Sequence, residues 1–251
     1  MTDTAIPQRA PATQSADDTI QPFEVAKLDL RGRVVRLGPV VDEILSSHDY
    51  PAPVAKTLGE AVVLGVLLGS ALKFEGRFIL QTQTDGPLRM LVVDFSTTGR
   101  TVRACARFDS ERLTAAMQAG ELSTAELFGR GHLAMTVDQG PDMSRYQGVV
   151  ALEGGGLEEA AHEYFRRSEQ IPTRVRLAVG EEFRAGNGMR RRWRAGGMLL
   201  QFLPKSMERM RQADLDPGDA PAGITPHVMP EDDAWVEGRS LIATVEDLEL
   251  I

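Results

Sequence analysis

Cysteine is nearly missing from this chain: Cys105 stands alone among 251 residues. One thiol cannot close an internal disulfide and cannot supply a zinc cage. Such scarcity fits a reducing compartment. Aromatic residues are few, at 6%, and positive charge is outnumbered, 28 Lys and Arg against 36 Asp and Glu. The formal net charge is −8 and the pI is near 5.1. A general polyanion binder needs a basic surface, so this balance excludes that class and leaves room only for a local basic patch. The opening stretch, MTDTAIPQRAPATQSADDTIQ, has neither the basic nor the apolar region of a secretory signal. Residues 1–22 read as a disordered tail rich in Thr, Ala, Gln, Asp and Pro. The most lipophilic run, Ala61 to Leu72, is shorter than the ~20 residues of a bilayer span, and Lys56, Glu60 and Lys73 bracket it. It reads as a buried core helix, and a soluble cytoplasmic protein is expected.

Catalytic signatures are missing too. No GxxxxGK[ST] phosphate loop and no GxSxG elbow occur. His48, His132, His162 and His227 do not fall at HExxH spacing, so no metal site is expected. His162 lies one step off an apolar helical stripe and is expected to be solvated. His48 and Asp49 precede Tyr50-Pro51 and are expected to end a helix. Cys105 is expected to be a small buried thiol, with Arg103 and Arg107 on its face of a strand. Gln81, Gln83 and Asp94 are expected to satisfy neighbouring backbone rather than to line a pocket. The reading is of a protein that is not an enzyme.

What is present is periodicity. RVVRL at Arg33 to Leu37 predicts a strand, and Val40 to His48 a helix. Pro53 opens a helix, apolar nearly all round, that runs to about Lys73. Three strands follow, at Arg77 to Thr84, Leu88 to Phe95 and Thr101 to Phe108, with short turns that imply an antiparallel sheet. Ser110 to Phe128 has weak helical character. His132 to Val137 and Tyr146 to Leu152 alternate as strands. Leu157, Ala160, Ala161, Tyr164 and Phe165 mark an amphipathic helix. Arg174 to Val179 and Met189 to Ala195 predict a strand pair. Beyond Pro204 the chain turns acidic and proline-rich, with one short helix near Trp235 to Val245. The fold class is α/β, of the α+β type, with antiparallel sheets around the central apolar helix and a linker segment after them.

The run GNGMRRRWRAGGMLLQFLP, Gly186 to Pro204, poses the functional question. In a strand, Arg190, Arg192 and Arg194 share one face, and Met189, Arg191 and Trp193 share the other. Arg174 and Arg176 join the first face if the two strands pair. Like charges held together gain nothing without an anion or water. The acidic segment Asp214 to Glu249 can supply one, docking over Arg174, Arg176, Arg190, Arg192 and Arg194 and covering apolar surface near Trp193. The rival reading is RNA on the same face, with Trp193 stacking a base. Gly196-Gly197 suggests a sharp bend or a close backbone approach, after which Met198 to Leu203 is buried on both sides and Gln201 needs a partner.

Four blocks then point to a family. RGRVVRLGPVVDEILSSHDYPAPVAKTLGEAVVL, LGSALKFEGRFILQTQTDGPLRMLVVDF, YFRRSEQIPT and RAGGMLLQFLP lie in order across Arg31 to Pro204. Together they resemble the heat-shock protein 33 family, the 33 kDa chaperonins. The resemblance implies an ATP-independent, redox-regulated holdase that binds unfolded client proteins under oxidative or heat stress, without catalysis. It implies an α/β core, a linker, a small zinc domain with four cysteines, and homodimers. The expected layout here is a tail at 1–22, a chaperone core at 23–205, and an acidic linker with a short helix at 206–251. The four cysteines have no match, so zinc and the redox disulfides cannot be carried over to any residue, and no cofactor is expected in this chain. Zinc is implied only if the parent protein continues. The stop at Leu250-Ile251 falls inside an apolar pattern and reads as an interrupted chain.

Overall fold

In this computed structural model the described residues are 17–120, 122–140, 143, 145–184, 190–203 and 232–251, with backbone alone at 184 and 190. Their organising element is α2 (Ala52–Ala71), which follows β1 (Thr19–Val25), β2 (Leu30–Leu37) and α1 (Pro39–Ser46). Pro53 fits the first turn of α2, where a missing N–H costs nothing. Fourteen of its twenty residues are buried. By length and hydropathy α2 could cross a membrane, but 78% of its most apolar window is buried inside the protein.

Two antiparallel sheets enclose it. The five-stranded sheet runs β5-β4-β3-β6-β7, from β3 (Arg77–Thr84), β4 (Leu88–Ser96), β5 (Thr101–Phe108), β6 (Arg130–Asp138) and β7 (Tyr146–Glu153). The four-stranded sheet runs β1-β2-β9-β8, from β8 (Thr173–Arg184) and β9 (Arg190–Phe202). Alternation fixes each inner face. Phe78, Leu80 and Thr82 point inward, while Gln81 and Gln83 are exposed on the outer face. Val35, Val175, Leu177, Ala195 and Leu199 face α2 from the other side. At Gly197 a side-chain carbon would come within 2.6 Å of Val63 Cγ1, so this glycine sets how closely α2 meets β9.

Helices α3 (Ser110–Ala119) and α4 (Thr124–Phe128) resolve the segment read as weakly helical. Asp109 caps the first by accepting the Arg112 N–H, and Ser123 with Glu126 forms a capping box on the second. Helix α5 (Leu157–Tyr164) continues into a π turn at Phe165–Glu169 and stops ahead of Pro172. Helices α6 (Asp233–Ala243) and α7 (Asp247–Leu250) follow.

Several expectations need correction. The ordered chain begins before residue 23: Thr19 to Val25 pairs in register with Arg36 to Leu30, because Pro22 is tolerated on an edge strand. Residues 1–16 lie outside the described residues. Of the two roles expected for Gly196-Gly197, close backbone approach holds and the bend does not: β9 continues as one strand through them to Phe202. Cys105 is exposed, because Val102, Ala104 and Ala106 take the partly buried face of β5 and leave Arg103, Cys105 and Arg107 outside. His227 and the segment 204–231 also lie outside the described residues.

Candidate functional site

The β8–β9 ladder carries the arginines. Its register sets Arg174 opposite Leu200, Arg176 opposite Met198, Gly180 opposite Arg194, Glu182 opposite Arg192 and Arg184 opposite Arg190. Residues directly opposite share a face, so the parity read from the sequence is the parity of the sheet. The face is mixed rather than basic throughout, because Met198, Leu200, Phe202 and Glu182 lie on it as well. Gln201 occupies the other face and meets the Thr173 hydroxyl at 3.4 Å.

Helices α6 and α7 lie on the apolar half of this face. Asp232 caps α6 by accepting the Ala234 N–H at 2.9 Å. Ala234, Trp235 and Ile242 are then buried against Leu30, Leu200 and Phe202, with the Trp235 and Phe202 rings 6.4 Å apart. A side-chain carbon at Gly196 would fall 1.8 Å from the Leu250 carbonyl oxygen, so only glycine leaves room for α7 there. Arg36 Nη2 donates to the Ile251 carbonyl at 2.9 Å.

The named arginines have separate surroundings. Arg176 Nη2 donates to Asp247 Oδ1 at 3.1 Å. Arg194 clamps Asp17 through two bonds of 2.6 and 2.7 Å. Arg174 Nη1 stands 3.3 Å from His162 Nδ1. Arg192 faces Glu182 across the ladder, and the side chain of Arg190 lies outside the described residues. Among the described residues, then, only Arg176 of these five meets the acidic C-terminal segment. Docking of α6 and α7 rests on buried apolar side chains, since an exposed ion pair contributes only ~0–1 kcal/mol.

Trp193 corrects the stacking reading. It is 8% exposed, on the inner face of β9. Its backbone N–H donates to Asp42 Oδ1 at 2.9 Å, and the Arg191 guanidinium lies 5.3 Å from the ring centroid. A ring so placed cannot offer a free face to a base.

His162 also departs from expectation. It is half-buried, and its Nε2 accepts the Val175 N–H at 2.8 Å. Four residues earlier on α5, Glu158 Oε1 accepts the Leu177 N–H at 2.6 Å. The i, i+4 spacing of a helix thus matches alternate outward N–H groups of the edge strand β8. Burial pushes the His162 pKa down, and Arg174 adds to this, which holds the ring in the neutral form that can accept. Sequence reasoning placed His162 off the apolar stripe correctly but could not know that a strand edge would stand there.

Glu60 is the most perturbed carboxylate near this junction. Burial raises its pKa from 4.5 to about 7; Lys56 opposes the shift, and Glu158, Asp247 and Glu159 reinforce it. Between pH 4.5 and 7 the unfolded chain releases this proton first, so native stability falls as pH rises through that window and stays reduced above it. Glu60→Gln is expected to stabilise the protein by ~1–3 kcal/mol at pH 8 and to change little at pH 5. Thermal melts of both proteins at the two pH values check this; equal gains at both would contradict it.

A recess of about 530 Å³ opens beside the C-terminal end of α2, lined by Leu72, Phe74, Phe78, Tyr146, Phe165 and Ile171 among others. Its polar wall is Glu169, whose Oε1 accepts from the Tyr164 and Tyr146 hydroxyls at 2.7 and 3.2 Å. Burial and these bonds push the Tyr164 phenol far above its usual pKa. Among the described residues no group of three or more His, Cys, Asp or Glu could hold a metal ion. The arrangement offers an open apolar recess beside α2.

Comparison with known proteins agrees in direction. The profile of a family described as Hsp33 protein matches residues 18–236. A 33 kDa chaperonin of Caulobacter vibrioides is 46% identical over 243 residues, covering 96% of this chain and 73% of that one. A 33 kDa chaperonin of Aliivibrio salmonicida is 39% identical over 189 residues, covering 75% of this chain and 60% of that one. The crystal structure of a 33 kDa chaperonin from Thermotoga maritima superposes with a TM-score of 0.57 at 23% identity, over 80% of this chain and 67% of that one, and so supports the fold. With a profile match across most of its length and a relative at 46% identity, this chain belongs to the Hsp33 family.

Proposed function

We propose that this protein is a chaperone of the holdase type, which binds unfolded clients without ATP and without catalysing a reaction. The observation that carries this reading is family membership with relatives named 33 kDa chaperonin. The open apolar recess beside α2 supports it, since affinity for unfolded chains comes from burial at ~25 cal/mol per Å² before ordering costs. Its setting is the cytoplasm under heat or oxidative stress, and its assembly is a homodimer. No membrane or nucleic-acid partner belongs to this reading. Zinc-linked redox control, which the family resemblance implies, does not fit the residues of this chain: Cys105 is the single cysteine.

The test is aggregation of a heat-unfolded client, followed by light scattering, with this chain in molar excess and neither ATP nor oxidant added. Suppression is expected. Unchanged aggregation would overturn the holdase reading of this chain.

A further inference from the structure

Four strand edges bound the two sheets, and three of them are guarded. On β8, the Val175 and Leu177 N–H groups are taken by His162 and Glu158. On β5, the Ala106 N–H donates to the Tyr50 hydroxyl at 3.2 Å. β1 carries Pro22 within it, which removes a donor. The fourth edge is β7, and among the described residues nothing beyond β6 bonds its backbone. A free edge of this kind is a template for another extended chain.

The β7 edge also has a wall. A groove of about 450 Å³ runs between Val149–Glu153 of β7 and α5, with Ala160 and Tyr164 on the helix side. A strand beside a helix-walled groove can add an extended peptide whose main chain bonds the edge while alternate side chains enter the groove. The stretch Val149 to Glu153 spans ~17 Å, enough for about five extended residues. Val149 is 58% exposed, which places apolar surface at the edge. The rim carries Glu153, Glu159 and Glu163; Glu163 is bound to both Arg166 and Arg167, which leaves Glu153 and Glu159 without an ion pair among the described residues. The uncompensated charge is therefore negative.

We propose that the β7–α5 groove binds an extended segment of unfolded polypeptide by strand addition, and prefers segments that alternate apolar and basic side chains. The inference deepens the holdase reading and rests on it for its biological sense. The chemistry of the groove can be measured separately.

The probe is a fluorescent ten-residue peptide alternating valine and lysine, titrated against the full chain by anisotropy. Three comparisons follow. A valine–glutamate peptide is expected to bind at least about tenfold more weakly. Methylating the amide nitrogens at every second position should abolish binding in one parity and spare it in the other, because only one edge of the peptide meets β7. The double variant Ala151→Arg with Glu153→Arg, at two exposed positions, should reverse the charge preference while its circular dichroism stays unchanged. No binding of the lysine peptide, equal binding of both methylated series, or an unaltered preference in the variant would each overturn the proposal. Client aggregation separates the two readings. If the parent chain suppresses aggregation but these peptide results fail, the groove is wrong and the holdase stands. If the peptide results hold but aggregation proceeds, the holdase is wrong and the groove stands.

Discussion

Replacing Trp235 by alanine is expected to release α6 and α7 from the four-stranded sheet while the core stays folded. Trp235 is 6% exposed and is the largest side chain in the small cluster with Leu30, Leu200, Phe202, Ala234 and Ile242. Truncating a buried tryptophan costs ~3–5 kcal/mol. α6 has eleven residues, too few to hold a helix in water without tertiary contacts. What remains is the smaller burial of Ala234 and Ile242 on α6 and of Leu250 on α7, with the exposed ion pair of Arg176 with Asp247 and the bond from Arg36 to the Ile251 carbonyl. These cannot replace the lost burial. The core cluster around α2 is separate from this one, so the loss should appear as local opening rather than global unfolding. Limited proteolysis should cut within Asp233–Ala243 early, and an apolar dye should brighten as Leu30, Leu200 and Phe202 meet solvent. A single melt lowered by the whole amount, with no early cleavage, would show instead that the C-terminal helices belong to one cooperative unit with the core.

That prediction turns on a feature the sequence hides. The segment after Pro204 looks acidic and proline-rich, and composition draws attention to its charge. Trp235 and Ile242, spaced by two turns of helix, decide how it binds. The arginine parity on β9 was legible, because a period of two needs no tertiary information. The partners were not legible: Arg194 takes Asp17 from far up the chain, and a sequence distance of 177 residues leaves no local trace. The meander β3–β4–β5 was readable from alternation and turn residues. The strand at Thr19 to Val25 was not, because Pro22 and polar neighbours imitate a tail until β2 supplies an edge to pair with. His162 failed for the same reason in reverse, since a histidine off the apolar stripe is solvated only if nothing else lies beside the helix.

The second large effect is expected at the centre. Leu67→Ala in α2 should lower stability by ~2–5 kcal/mol, and Leu72→Ala at its end by less than about 0.5 kcal/mol. The two changes remove the same atoms from the same helix region. They differ in surroundings: Leu67 is fully buried between the sheets, and Leu72 is 41% exposed. Neither face of α2 can close over the hole at 67. Gly65 and Gly69 already bring it close to the five-stranded sheet, where added side-chain carbons would lie 2.8 Å from Val93 Cγ1 and 2.6 Å from Phe95 Cδ1. On the other side Gly197 lets β9 approach Val63 just as closely. A helix seated this tightly on both sides cannot shift to fill a cavity without breaking contacts elsewhere, so the cost belongs at the upper end of the range. For a chain of this size that is a fall in melting temperature of roughly 10–15 °C. Calorimetry of the two variants beside the parent reads the difference directly, and similar losses at both positions would mean that α2 is not the clamped centre of the fold.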